Sequence, residues 1–588
     1  MLLFVFLLSS CRITMSQGVV RLLLIPFFAL AAGVNAAPSL ELRGGSDALR
    51  DNIQAYLDVG SQSCRLARWH VRALGQELDR KMEEAARALG YYHLQSEKNF
   101  TRTEDCWRLQ VDLTPGPQVA YEQVTVLLEG EGANNRDLGR ARGNGILREG
   151  DTLNHGRYES YKSRLLQAAD AQGYFDARYR VAEVLVSQER NTARVNLILD
   201  TGARYRIGDI RIEHDILSDD LIDRYVTLET GQVYESEDLV KLKSELQSSN
   251  YFGSVSVEPQ LNALNEDQVP VNIELLGGPK HSYSVGAGYA SDIGPRILLG
   301  YENRYLNSRG HSLDATVNAS EVITTYQVGY SIPMARPAYE VLRLYTGYTQ
   351  EDINDSVSNR LATGMNYSSW ESSEWLNNFG LSYEEEEFRF GDAPATTSEL
   401  VIPMYSTSYT SSRDVKYPRR GWNLLVRLKG ASDAVVSSTD FAQIYSRVKM
   451  ILPLGEGRLL LRAEGGVTEV DDFSKLPISQ RFFAGGDASV RGYDYKTLGP
   501  KNADGIVIGG SRLLTASVEY DQKVYGDFSL AAFYDEGTSF NKGYLDPYRG
   551  VGVGVRWISP VGPVRADIAK ALDGDEGWRL HLSVGPDL

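Results

Sequence analysis

The side chain with the most chemistry to offer is an arginine in a long loop. Arg491 stands in Val490-Arg491-Gly492-Tyr493, shortly after Arg-Phe-Phe-Ala-Gly-Gly at 481–486. A guanidinium on an external loop is simply solvated. One held away from water needs carboxylates, which its planar fork of donors binds in pairs. Other reactive groups are few. Cys64 and Cys106 are candidates for a disulfide, a metal site or two free thiols. Glu384-Glu385-Glu386-Glu387 is explained by default as a solvated turn near a strand end, against calcium binding or repulsion of neighbours. There is no Gly-x-Ser-x-Gly, no His-Glu-x-x-His and no phosphate-cradling glycine loop with lysine, and the seven histidines are scattered. The chain is therefore read as non-enzymatic, with no cofactor and no metal, and its chemistry as ion pairing and strand pairing.

The elements that must position Arg491 show a two-residue period. From Ser282 onward Tyr283, Val285, Ala287 and Tyr289 share one face, while Ser284, Gly286 and Gly288 share the other. Ala516, Val518 and Tyr520 alternate with Thr515, Ser517 and Glu519, and Trp578, Leu580, Leu582 and Val584 alternate with Arg579, His581, Ser583 and Gly585. Charged side chains do not face lipid cheaply, and apolar and aromatic ones are not left in water over so many strands. A closed barrel, apolar outside and polar inside, satisfies both faces. It also leaves no bare N–H or C=O, each of which costs several kcal/mol in lipid. Sixteen strand-like runs start near 282, 295, 312, 324, 339, 358, 375, 398, 421, 439, 457, 513, 528, 548, 562 and 578. An even number returns both ends to the periplasmic side. Arg491 falls in the connection 471–512, and a loop of about 40 residues inside a regular barrel is uncommon unless it has a job.

Residues ahead of the barrel repeat. ARALGYYHLQ (86–95), AADAQGYFDAR (168–178) and LQSSNYFGSV (246–255) each read as a helix closed by Gly or Asn, which suits a left-handed cap. Strand patterns follow, as in CWRLQVDLTPG, ARVNLILDTG and VPVNIELLGG. The unit is strand, helix, helix, strand, strand. Before the repeats, residues 19–33 form a short apolar stretch and Val34-Asn35-Ala36 a small-residue processing site, so 1–36 is read as a signal peptide, with Met15 the expected true start and Arg21 its positive charge. Leu8-Ser9-Ser10-Cys11 resembles a lipoprotein box and is read as upstream noise. Export leaves Cys64 and Cys106 as an even pair in an oxidising compartment, so a disulfide is expected, and the lack of a nearby Cys/His cluster argues against zinc. Such a bridge closes about 40 residues, worth roughly 4 kcal/mol in the chain-entropy picture.

Composition narrows the class further. Of 588 residues 42% are hydrophobic and 23% charged, which excludes a disordered or fibrous chain. The net charge of −16 argues against a nucleic-acid partner, which needs a basic face. The 34 Tyr and 55 Gly point to β-structure with an interfacial surface, and a mean hydropathy of −0.29 excludes a polytopic helical membrane protein.

The repeats resemble POTRA domains, near 38–117, 118–203 and 204–278, ahead of a barrel at 279–588. The fold class expected is thus α+β repeats followed by all-β: three POTRA domains (β-α-α-β-β) and a 16-stranded antiparallel transmembrane β-barrel. With the Arg491 motif late in the barrel, the chain resembles the superfamily of POTRA-barrel assembly factors and secretion pores. Three modules, sixteen strands, the loop text and the ending Ser583-Val584-Gly585-Pro586-Asp587-Leu588 are most similar to the translocation and assembly module (TamA) family. BamA-type proteins have five POTRA domains and two-partner secretion pores two. The resemblance implies that the loop folds back into the lumen, where Arg491 meets Glu519 and Asp535, both in period with the polar face. Gly492 then allows a tight turn and Tyr493 fills space beside it. It further implies a Gram-negative outer-membrane insertase-translocase for autotransporter-type and other β-barrel proteins, with the POTRA domains in the periplasm. The implied partners are a TamB-like inner-membrane-anchored protein, unfolded outer-membrane clients and the lipid bilayer. The alternatives are a conduit for phospholipid with a TamB-like protein, or a dedicated two-partner-type secretion pore.

Closure of the barrel must join its first and last strands, and both look weak. The first carries Tyr283, Val285, Gly286 and Gly288, and glycine weakens strands. The last runs from Leu582 into Gly585-Pro586, and proline has no N–H for a ladder. A lateral seam is expected there, at which an incoming strand can pair by β-augmentation.

Overall fold

The computed structural model describes residues 37–587, apart from 58, 60–62, 65–67, 103–105, 144–146, 265, 413, 415–416, 544, 560–561, 575–576 and 586. The signal-peptide reading, Met15 and Pro586 lie outside the described residues.

Three small α+β modules come first. The first comprises β1 (Ser39–Arg43), α1 (Asp47–Tyr56), α2 (Arg68–Ala88), β2 (Gln95–Arg102) and β3 (Trp107–Thr114). The second comprises β4 (Ala120–Glu129), α3 (Arg136–Gly143), α4 (His155–Ala171), β5 (Arg178–Ser187) and β6 (Thr192–Asp200). The third comprises β7 (Arg206–His214), α5 (Asp219–Tyr225), α6 (Ser236–Ser248), β8 (Phe252–Pro259) and β9 (Gln268–Gly277). Each sheet has the order first, third, second strand, with the outer pair parallel and antiparallel to the middle strand respectively. Two edges of every sheet therefore stay open.

Local sequence accounts for the helices. Ser46 caps α1, accepting from the Leu49 N–H, and Leu49 and Ile53 fall one turn apart on its buried face. Leu239, Leu242 and Leu246 do the same for α6. The repeated caps are left-handed, with φ of 84° at Gly90, 81° at Gly173 and 61° at Asn250. In the first module Cys64 and Cys106 form a disulfide across a Cα–Cα distance of 4.6 Å, beside buried Trp107. Replacing both with serine is expected to cost the first module about 2–4 kcal/mol. Hydrogen exchange of the β2 and β3 amides, with the barrel amides as internal reference, reads that loss.

The remaining chain forms one sixteen-stranded antiparallel sheet in sequence order. Its strands are β10 (His281–Ala290), β11 (Gly294–Asn303), β12 (Ser312–Ser320), β13 (Ile323–Pro333), β14 (Glu340–Ile353), β15 (Ser356–Trp370), β16 (Trp375–Phe390), β17 (Thr396–Thr410), β18 (Gly421–Ala431), β19 (Phe441–Leu454), β20 (Gly457–Val470), β21 (Arg512–Tyr525), β22 (Phe528–Phe540), β23 (Tyr548–Ser559), β24 (Gly562–Ala571) and β25 (Trp578–Val584). Alternation is strict where it matters. On β21 Thr515, Ser517, Glu519 and Asp521 are buried inside, while Leu514 and Val518 are exposed outside. The exposed outer face runs on through Leu530, Val553, Val555, Trp557, Ile568 and Leu580, an apolar band that lipid must cover. Among the described residues no helix is long and apolar enough to cross a membrane.

Turns at one end of the barrel hold the third module. Ser218 N–H donates to Ser308 O (2.8 Å), Tyr251 OH to Gly310 O (2.6 Å) and Arg224 Nη1 to Met334 O (2.8 Å). This end is called proximal below. The long connection between β20 and β21 leaves from the distal end.

Candidate functional site: the inward loop and the seam

The β20–β21 connection turns back into the barrel and is fastened at two depths. At its base Arg481 donates to the carbonyls of Leu476 (2.8 Å), Ile508 (3.0 Å) and Phe473 (3.0 Å), drawing the two limbs together. Phe473 and Phe390 flank its guanidinium at 4.4 and 4.9 Å. The acidic run acts here. Glu384–Glu387 is not a solvated turn: it lies within β16, so the four residues alternate in and out. Glu386 is buried and accepts from Ser358 Oγ (2.9 Å) and Ser479 N–H (3.2 Å), while Glu384 accepts from Gln480 Nε2 (3.2 Å) and Arg360 (3.3 Å).

Deeper in the lumen sits Arg491. Its Nε and Nη2 grip Asp535 in a two-point fork at 2.7 and 2.9 Å, and its backbone N–H adds a third bond to the same carboxylate at 3.1 Å. Nη1 reaches Glu519 (2.7 Å) and Asp567 (3.0 Å). A second buried arginine, Arg556, donates to the other Glu519 oxygen (2.8 Å) and pairs with Asp567. Phe533 lies 3.4 Å beneath the Arg491 guanidinium. Three carboxylates thus surround two arginines, each ion partnered, which is what burial of charge demands. Val490 and Tyr493 pack with Phe482, Ala484, Leu498 and Leu513, and Tyr493 OH donates to the Asp573 carbonyl (2.9 Å). Gly492 has φ of +102°, and a Cβ there would lie 2.9 Å from Ala571 N. On the wall, a Cβ at Gly550 would lie 1.9 Å from the Arg491 carbonyl, so the loop backbone lies directly on β23.

Of the residues singled out from sequence, Arg491, Glu519 and Asp535 meet in one cluster. Asp567, Arg556 and Ser517 belong to it too and were missed. Asp567 and Arg556 both lie on the polar period of their strands, which is the only local signal they carry.

The seam residues lie where the sheet ends. β10 pairs with β11 and β25 with β24, and among the described residues no ladder joins β10 to β25. Tyr283 and Val285 are 76% and 81% exposed. Gly286 and Gly288 share this open edge, and Gly585 follows the last residue of β25. Among the described residues one backbone hydrogen bond spans the gap, from Ser291 N–H to Leu582 O at 3.4 Å. Asp587 is buried in the proximal lumen, with Arg458 Nη1 2.7 Å away and Lys449 donating to its carbonyl at 3.1 Å. Arg458 also grips Asp521 through Nη2 (2.7 Å) and Nε (3.1 Å).

Loop residue Asp487 reaches the seam itself. It accepts from Ser291 Oγ (2.9 and 3.0 Å) and from His581 Nδ1 (2.5 Å). Its N–H donates to Asp292 (2.8 Å), whose pKa burial and the adjacent Asp487 carboxylate push up to about 7. Asp292, Asp487 and His581 present ligand atoms within 4.8 Å of one another.

Three open-edged α+β modules, a lipid-facing barrel and an arginine-anchored inward loop define an outer-membrane barrel of the POTRA-bearing class. Comparison with known proteins agrees. The Omp85 superfamily domain matches residues 276–587, the POTRA domain described as TamA domain 1 matches 39–115, and the POTRA family described as surface antigen variable number repeat matches 205–276. The chain belongs to the Omp85 superfamily. It is 24% identical over 414 residues to the chloroplastic outer envelope protein 80 of Arabidopsis thaliana, covering 63% of this chain and 54% of that one. It is 21% identical over 441 residues to the outer membrane protein assembly factor BamA of Nitratidesulfovibrio vulgaris, covering 69% and 54%. The chain thus spans about half the length of these relatives. The crystal structure of BamA from Haemophilus ducreyi lacking POTRA domains 1–3 shares the fold, with a TM-score of 0.62 at 17% identity over 79% of this chain and 98% of that one. As a member of this superfamily whose bacterial relatives are outer-membrane proteins, the chain is a non-enzymatic outer-membrane barrel with its POTRA domains in the periplasm.

Proposed function

We propose that this chain is an insertase-translocase that assembles β-barrel proteins, autotransporter-type clients among them, by lending its open seam as a template. The observation that carries the reading is the edge of β10. Among the described residues, the ten of β10 have no ladder partner on one side, next to lipid. An unpaired edge in a bilayer is costly and is relieved by any strand that adds to it. The open edges of the three modules offer the same main-chain chemistry to an unfolded client on its way. No nucleotide site is among the motifs of this sequence, so the driving force is the client's own folding, helped by a TamB-like partner anchored in the inner membrane. A phospholipid conduit or a dedicated secretion pore would both need a path past the loop, which fills the lumen around Arg491.

The test uses the full chain in liposomes, with a photo-crosslinking amino acid at Val285 or, as a control, at lipid-facing Phe379 on β16. A urea-unfolded autotransporter barrel is expected to be trapped at Val285 and not at Phe379 while it gains protease resistance. Equal trapping at both positions, or transfer of labelled phospholipid without client folding, would overturn the proposal.

A further inference from the structure

The polarity of the hydrogen bonds around Asp487 can be followed atom by atom. Gly492 N–H donates to His581 Nε2 at 2.9 Å, so that nitrogen carries the lone pair. The proton therefore sits on Nδ1, which donates to Asp487 Oδ1. The carboxylate also accepts from Ser291 Oγ, and Ser291 Oγ in turn accepts from Leu582 N–H at 2.9 Å. The chain of bonds runs without a break from the glycine of the loop motif, through the last strand and the loop, to the first hairpin and back to the last strand. Every donor faces an acceptor.

From this we infer that Asp487, Ser291 and His581 form a latch that pins the distal end of the otherwise unpaired seam and releases it when an incoming strand displaces Ser291. The inference deepens the proposed role of the seam and rests on it for its purpose, though not for its geometry. Ser291 N–H continues the β10 edge and Leu582 N–H belongs to the edge strand β25, and a client strand entering between the two edges needs these groups. Ser291 Oγ occupies the Leu582 N–H, and Ser291 N–H occupies the Leu582 carbonyl. Client and latch compete for the same backbone groups. Because His581 also holds Gly492, the loop that anchors Arg491 and the edge that meets clients are parts of one network. Networks of this kind act as a unit, since each bond polarises the next. Asp487 and Ser291 are positioning residues: they set which state of the seam is populated.

Spin labels at Val285 and Leu580, both on the lipid face, report the width of the seam in the full chain in liposomes. In Ser291→Ala, which leaves every Arg491 contact intact, the ratio of wide to narrow distances is expected to rise about tenfold, the worth of one or two lost bonds. Asp487→Ala should raise it at least as much, and Ser291→Thr, which keeps the hydroxyl, should restore the narrow distribution. Distributions unchanged in both Ser291→Ala and Asp487→Ala would overturn the latch. So would a wild-type distribution that widens in EDTA, which would mean that a metal ion, not this proton chain, joins the three residues. If the seam widens in Ser291→Ala and client folding in the same liposomes also speeds up, latch and template both stand. If it widens and client folding is unaltered, the latch stands and the template reading fails.

Discussion

Arg491→Ala is expected to unseat the loop and destabilise the barrel by about 3–5 kcal/mol, the usual cost of removing one partner from a buried ion network. The arithmetic of charge explains the size. Glu519, Asp535 and Asp567 face Arg491 and Arg556. With the Arg491 side chain gone, Asp535 loses both bonds of the fork and keeps the backbone N–H of residue 491 at 3.1 Å and Ser517 Oγ at 2.6 Å. A lumen carboxylate so stranded either draws in water, which needs the loop to move, or takes up a proton. Arg491→Lys should fall between, because an ammonium cannot fork onto Asp535 and reach Glu519 together. The decisive variant is the double one. Asp535→Asn removes the stranded charge, so Arg491→Ala with Asp535→Asn should recover part of the loss, a coupling that a purely steric role for Arg491 would not produce. The temperature at which the barrel stops running as a folded band on a semi-native gel reads stability, and tryptic cleavage after Lys496 reads loop release. An Arg491→Ala protein with the wild-type midpoint and an uncut loop would rule the anchor out.

What the sequence made legible follows from periodicity and what it hid follows from distance. Strand starts were readable because lipid on one side and a polar lumen on the other impose a two-residue rhythm, and the sixteen strands lie where that rhythm put them. Glu519 and Asp535 keep to the polar beat and so were available as partners for Arg491. Glu384–Glu387 was misread because four charges in a row erase the contrast between the faces. Glu385 and Glu387 face out near the distal end of β16, where an outward charge has access to water, and only the fold shows that Glu384 and Glu386 hold the loop. His581 carried no signal beyond a polar position on the last strand. Asp487 meets it across 94 residues of sequence and meets Ser291 across 196, separations over which no local pattern reports. The same reasoning separates two kinds of statement about the seam. That its edges carry glycine was visible in Gly286, Gly288 and Gly585; that a side chain from a third element bridges them was not.

A disulfide across the seam is expected to stop client assembly while leaving the barrel folded. Ala290 and Ser583 each lie one residue from the Ser291–Leu582 backbone bond, on antiparallel chains, so they face one another and both are small. Ala290→Cys with Ser583→Cys therefore places a bridge where the strands already touch, without disturbing Arg491 or the Ser291 hydroxyl. Once oxidised, the pair fixes the state in which Leu582 is engaged by the first hairpin, and a client can no longer part β10 from β25. At about 1 kcal/mol for each main-chain hydrogen bond forgone, a strand that loses several of them folds slower by well over tenfold. Reduction in the same sample should restore the rate, and each single cysteine should behave as wild type. The bridge adds a covalent tie to the native barrel, so its midpoint on a semi-native gel should hold or rise, which separates a blocked template from a damaged one. Because the third module is bonded to the turns at Ser308, Gly310 and Met334, away from the bridge, client capture by the modules should survive oxidation. The expected species is a client that is bound but not folded. Full assembly through an oxidised seam would place the working edge elsewhere, leaving the module edges as the remaining open strands for a client to pair with.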